Sequence, residues 1–305
     1  MASASNLNSP IGQIIAAKQS RRRLVGRKRR PIKLPRPPRQ QTPKRAERIY
    51  RRNLLRIMDR AGQIVSELMV SRLNELAADT LVLDSARVDV EDWPSKIKRI
   101  AEQLRLRFED EKKTITQAAE EMGAQVSAEN TAQIAKQTKA ITGVDVLAGD
   151  AALATTLQAS LAENVSLITT LTGDYFSKVE DTVLRGFRSG QRATEISKGI
   201  SGLITKGKKH AEFIARDQVL KLNGSLTRNR QSDLGLYSYI WRTSLDERVR
   251  PDHARLEGEV FDWKGPGPIT DSRTGARNHP GMDFNCRCTA EPNIAPLLGE
   301  DEVVE

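Results

Sequence analysis

The chain carries the run Leu153-Ala-Thr-Thr-Leu157-Gln-Ala-Ser-Leu161-Ala-Glu-Asn-Val165-Ser-Leu-Ile168, continued by Phe176, Val179 and Val183. Apolar residues recurring three and four apart put one greasy face on a helix, with polar residues covering the rest. The stretch therefore predicts a long amphipathic helix. Its apolar stripe is an ordinary core or helix-pairing surface and not a cofactor box. Upstream, Gly143 to Asp150 reads as a joint. Before it, Ile97, Ile100, Leu104 and Phe108 form a second stripe, with Ser95 as its N-cap after Asp92-Trp93-Pro94. Earlier still, Ile57, Ala61, Ile64, Leu68, Leu73 and Leu76 predict a helix from about Arg45 to Leu83. No proline occurs from residue 95 to residue 250, which favours unbroken helices because proline removes a helix hydrogen bond. Only 4% of residues are aromatic, as expected of an Ala/Leu-rich helical protein. The fold class is mainly α.

Downstream the texture changes. Gly186 to Gly190 predicts a turn, Thr194-Glu195-Ile196 opens a short helix, and Gly199, Gly202 and Gly207 punctuate the next stretch. A further helix runs from about Lys209 to a stop at Gly235. Tyr237 to Thr243 alternates as a half-buried strand, and Glu259 to Trp263 reads as its partner, with a helical turn or two between them. Four regions result: a disordered basic arm (1–45), an extended helical region (46–185), a small α+β domain (186–292) and an acidic tail (293–305).

The formal charge of +10 is unevenly spread. Residues 1–60 hold 18 Lys/Arg against 2 Asp/Glu, and the remainder holds 31 against 37. A basic segment is thus attached to a mildly acidic body. Seven of the ten residues from Arg21 to Arg30 are basic (Arg21, Arg22, Arg23, Arg27, Lys28, Arg29 and Arg30), and Lys33, Arg36 and Arg39 come next among prolines. Like charge and proline predict an extended arm that contacts double-stranded DNA phosphates, without reading base sequence, or an acidic protein surface. The same residues fit a nuclear-localisation signal. No apolar run is long enough for a membrane anchor, and no secretory leader is expected. The two cysteines stand at Cys-x-Cys spacing, too tight for an unstrained disulfide, which favours free thiols or metal ligands in a reducing compartment.

Both cysteines and two of the three histidines lie within the 36 residues from His253 to Cys288. His253, His279, Cys286 and Cys288 offer the donor set of a tetrahedral zinc site, although not at zinc-finger spacing. Without metal, His253 bonds a backbone carbonyl, His279 sits in a His-Pro turn and the cysteines are small buried hydrophobes. Asp252-His253, Asn278-His279 and Asn285 also bring to mind a metal-dependent, HNH-like nuclease. The Pro/Gly-rich chain after Cys288, however, offers no helix to complete one. No catalytic residue is assigned. Asp246, Arg248, Arg250 and Asp252 form a structural charge network, and Arg287 is free to pair with Asp246 or Asp283.

The string Trp241…Asp246-Glu-Arg-Val-Arg250-Pro-Asp-His253…Gly258…His279-Pro280-Gly281…Cys286-Arg287-Cys288 resembles the C-terminal domain of phage Mu F-like minor head proteins, the head morphogenesis family. The resemblance covers about residues 186–292. Two departures are visible. Arg216-Asp217-Gln218 stands where the family often has Arg-Thr-Glu, and Met282-Asp283-Phe284 stretches the compact His-Pro-x-Cys-Arg-Cys ending. The resemblance implies a non-enzymatic minor capsid protein of a tailed phage, partnered by the portal protein and by capsid or scaffold proteins. It also implies assembly in the host cytoplasm and residence in the virion.

Overall fold

The computed structural model describes residues 9–24, 32–34, 36–82, 93–144, 151–272, 274–297 and 302–304. The described chain is mainly helical, with short strands concentrated in its C-terminal part. The helices are α1 (Pro10–Leu24), α2 (Lys44–Leu68), α3 (Leu73–Val82), α4 (Trp93–Glu109), α5 (Lys112–Thr142), α6 (Ala151–Arg188), α7 (Ala193–Asp233) and the single turn α8 (Pro251–Ala254). Among them none is long and apolar enough to cross a membrane.

Two compact units emerge. One comprises residues 47–122 and 161–216; the other comprises 1–46, 123–160 and 217–305. The expected boundary between residues 185 and 186 falls inside the first of these.

The 47–122/161–216 unit is a helical core. The α2 residues Tyr50, Leu54, Ile57, Met58, Ala61, Ile64 and Val65 are all buried, as a stripe at helical spacing requires. The expected helix to Leu83 is interrupted at Met69, where a 3₁₀ turn (Val70–Arg72) precedes α3. Helix α4 begins at Trp93, so Ser95 lies within its first turn and is not the cap. Pro94 fits there because first-turn N–H groups have no helical partner to lose. In α6, Ile168, Phe176, Val179 and Val183 are buried. Phe108 and Phe176 meet edge to face at 5.3 Å, and the buried Tyr50 hydroxyl donates to Asn164 Oδ1 at 2.7 Å.

Helix α7 differs most from expectation. The two helices expected across 194–235 are one of 41 residues, with Gly199, Gly202 and Gly207 in its interior. Glycine ordinarily weakens a helix, but two of these allow close packing. A Cβ on Gly207 would lie 2.7 Å from Met58 Cε, and one on Gly199 would lie 3.2 Å from Thr182 Cγ2. Helix α7 stops where expected. Gly235 has φ +78°, its N–H bonds Ser232 O, and the Leu236 N–H bonds Gln231 O, the two bonds of a Schellman cap.

In the other unit, β2 (Ser238–Arg242) is the central strand of a three-stranded antiparallel sheet in the order β3-β2-β6, with β3 (Val260–Asp262) and β6 (Thr289–Pro292) at its edges. Tyr239 pairs with Phe261, as the strand pairing read from sequence requires, and Trp241 pairs with Ala290. Strands β4 (Ile269–Thr270) and β5 (Arg277–Asn278) form a small hairpin. Strand β1 (Ile32–Leu34) pairs in parallel with β7 (Glu302–Val304). A separate apolar cluster joins Ile11 and Ile15 of α1 to Ile134, Ile141, Leu234, Leu236, Ile294 and Leu297.

The basic arm expected over residues 1–45 falls only partly within the described residues. Residues 10–24 are helical, with Ile11 and Ile15 buried. Residues 36–43 lie along the body, held by Gln40 Nε2 to Thr227 Oγ1 (2.7 Å) and Gln137 Nε2 to Pro38 O (2.9 Å).

Candidate metal centre

Alternation along β2 sends Tyr239 and Trp241 to one face of the sheet. There they pack with Trp263, Ile269, Cys286, Cys288 and Ala290. Pro251 opens the turn of α8, which carries His253 into the same core. His253 is 2% exposed, Cys286 3% and Cys288 6%. His253 Nδ1 lies 3.4 Å from Cys286 Sγ and 3.5 Å from Cys288 Sγ. The three donor atoms lie within 4.8 Å of one another.

The other ring nitrogen of His253, Nε2, meets Asp283 Oδ2 at 3.1 Å. A carboxylate there favours the tautomer with hydrogen on Nε2 and a lone pair on Nδ1 facing the sulfurs. Asp283 is itself fixed by Arg250 Nη2 at 2.8 Å, and Arg250 also donates to Phe284 O.

Upstream support comes from Asp217, whose Oδ1 accepts the Asn285 N–H at 2.7 Å. Asn285 has φ +49°, a left-handed conformation that asparagine tolerates better than most residues. Gly281, at φ +81°, lies close to the α7 backbone at Leu220 O. These contacts set the loop that delivers Cys286.

The two thiols are pushed in opposite directions. The hydrogen bond from Cys288 and the neighbouring imidazole hold Cys286 well below the usual thiol range against the opposing effect of burial. The same hydrogen bond, with burial and the Cys286 charge, pushes Cys288 up. Burial disfavours protonation of His253, but its hydrogen bond to Cys286 and that thiolate's charge outweigh burial and raise it. The buried Trp241 indole N–H favours charge on Cys288.

His279 does not join this cluster. Its Nδ1 bonds the Tyr239 hydroxyl at 2.8 Å, and its ring packs against Trp263 at 5.1 Å. Burial and nearby Arg228 lower its pKa to about 4. Of the four residues expected as donors, three are brought together, with Asp283 behind the imidazole. The residues that lengthen the His-Pro-x-Cys-Arg-Cys ending supply that carboxylate; a carboxylate three positions before Cys286 was the legible signal. The nuclease-like arrangement is not assembled either. His253 and His279 are turned to different partners, and the chain after Cys288 continues as β6.

The remaining motif residues brace the same core. Arg287 grips Asp246 through both guanidinium nitrogens, with Nη2 to Oδ1 at 2.6 Å. That contact holds the Asp246 carboxyl below its ordinary range. The Gly258 N–H bonds Trp241 O at 2.9 Å, and Gly258 has φ +86°. Pro280 lies beside α7 at Gly224. On the opposite face of β2, Arg242 donates to Glu291 through Nε (2.8 Å) and Nη2 (2.9 Å).

Two residues from the expected DNA-binding set also act here. Arg36 Nε bonds Glu291 Oε1 at 3.0 Å, and Arg39 Nη2 bonds Glu257 Oε1 at 2.8 Å. Lys33 lies in β1, and Arg21, Arg22 and Arg23 lie in the last turn of α1; their side chains, with Arg27, Lys28, Arg29 and Arg30, fall outside the described residues.

This buried block of Trp241, His253 and the paired cysteines, fed by α7, coincides with a known family. Residues 177–291 match the family described as Phage Mu protein F like protein. This region is similar to the Mu F-like family. The match starts in α6 and ends within β6, so it takes in the whole candidate centre together with α7. The Mu F-like family is a family of phage head proteins. A Haemophilus influenzae protein described as an uncharacterized protein is 36% identical over 168 residues, covering 54% of this chain and 36% of that protein. The chain thus spans little more than a third of that relative's length. No solved structure matches the chain.

Proposed function

We propose that this chain is a minor capsid protein of a tailed bacteriophage, built into the head near the portal during assembly in the host cytoplasm and retained in the virion. The observation that carries the reading is the Mu F-like match over residues 177–291. The C-terminal unit is suited to scaffolding and not to turnover, because its only cluster of soft donors among the described residues is enclosed by tryptophans, tyrosine and sheet. A reactant would have to displace that packing to reach it. The partners are the portal protein and the capsid or scaffold proteins of the same particle.

The basic segment supplies a second, electrostatic contact, non-specific binding to the phosphates of packaged double-stranded DNA. Arg36 and Arg39 are taken up internally, so Arg21, Arg22, Arg23, Arg27, Lys28, Arg29 and Arg30 carry it, with Lys33 beside them. Removing one phosphate-bound cation lowers the slope of log affinity against log salt by roughly 0.9.

The test is co-expression with the portal and scaffold proteins of the same particle, followed by isolation of procapsids. The chain is expected in purified particles at a fixed ratio to portal. Assembly that proceeds to normal, filled heads without the chain overturns the assignment. Replacing the seven basic residues of 21–30 by glutamine is expected to weaken DNA binding and flatten its salt dependence; unchanged slope and affinity overturn the DNA contact.

A further inference from the structure

We propose that Cys286, Cys288 and His253 bind one zinc ion through the two sulfurs and Nδ1, with Asp283 as the positioning residue on the far ring nitrogen. This goes beyond the head-assembly reading and does not depend on it.

Geometry comes first. Zinc–sulfur and zinc–nitrogen bonds of about 2.3 and 2.1 Å at tetrahedral angles set sulfur and nitrogen about 3.6 Å apart. The two Nδ1–Sγ separations are 3.4 and 3.5 Å. A buried imidazole packed only as filler has no reason to hold one lone pair equidistant from two sulfurs. The second nitrogen completes a carboxylate–histidine–metal relay: Asp283 accepts from Nε2 and Arg250 anchors Asp283.

Charge comes second. Two thiolates and a neutral imidazole around a divalent ion form a neutral unit, which a buried site tolerates. Such a unit also puts charge on the Cys288 sulfur beside the buried Trp241 indole N–H, which favours it. A tetrahedral ion has one position left for a non-protein ligand such as water. Binding the two thiols as thiolates beside a neutral imidazole releases two protons, and no redox change is involved.

The same residues could form a reactive Cys–His–Asp relay. Their burial and the pairing of both sulfurs with one imidazole favour the metal.

The experiment uses the full chain, purified without chelator from zinc-supplemented medium and analysed for metal by mass spectrometry. About one zinc per chain is expected. Exchange with cobalt(II) is expected to give thiolate-to-cobalt charge-transfer bands. Those bands are expected to vanish in Cys288→Ser, to persist in His279→Gln, and to need 10- to 100-fold more metal in Asp283→Asn. Because the cysteine variant can misfold, thiol reactivity of the unaltered chain is measured with and without zinc, and protection by zinc is expected. No zinc, no cobalt–thiolate bands and unprotected thiols overturn the site. Loss of the bands in His279→Gln overturns the three-residue assignment.

Discussion

Arg242 and Glu291 join diagonally across neighbouring strands as a two-pronged ion pair, and Glu291 is only 1% exposed. Arg36 adds a third bond to the same carboxylate. Glu291→Ala therefore leaves the Arg242 guanidinium buried without its main counter-charge, a change that costs about 3–5 kcal/mol. Urea denaturation is the measurement. Replacing both partners by leucine is expected to recover much of the loss, since it removes the orphaned charge. Equal losses in the single and double variants would show that the pair acts through shape alone.

Asp217 accepts the N–H of the left-handed Asn285, next to Cys286. Asp217→Ala is expected to destabilise by about 1–3 kcal/mol, the usual cost of an unsatisfied buried partner. Asp217→Asn, which keeps an acceptor, should cost less. Identical midpoints for the two variants would sink this account.

Two glycines of α7 predict opposite signs. A Cβ on Gly202 meets nothing within 4 Å, so Gly202→Ala should stabilise by about 0.5–1 kcal/mol through backbone entropy. A Cβ on Gly224 would stand 2.8 Å from Pro280 O, a backbone atom. Gly224→Ala should destabilise by about 1–3 kcal/mol despite the better helix former. Thermal melts of the pair decide it; shifts of the same sign contradict the packing described.

His279 titrates at about 4, below its ordinary 6.5, because burial and Arg228 oppose its charge. An unfolded chain takes up this proton near pH 6.5 while the folded one resists. The stabilisation is thus complete above that pH and is lost as pH falls from 6.5 toward 4, by about 3 kcal/mol in all. Stability measured across that window should fall more steeply for the unaltered protein than for His279→Gln. Parallel curves would rule out burial of a neutral imidazole as the cause.

Periodic features were legible in the sequence. The stripes of α2, α4 and α6, the Gly235 stop and the β2–β3 pairing all arise from local spacing. The glycines of α7 misled because local propensity counts the helix interior as a cost and is blind to Met58 and Thr182 approaching from other helices. Likewise, the basic composition of residues 10–24 and 36–43 hid Ile11, Ile15 and Gln40, whose partners lie more than a hundred residues away in the chain.

The donor chemistry was visible in the order of residues, which gathers Cys286, Cys288, His253 and His279 into one short block. Which of them meet was not. Strand register turns His279 to Tyr239 and delivers His253, through one helical turn after Pro251, to the sulfurs, with Asp283 behind it. Composition and periodicity act between near neighbours and so determine helices, turns and the stock of ligands. The choice among ligands is made by distances between segments far apart in the chain, which only the folded sheet and α7 set.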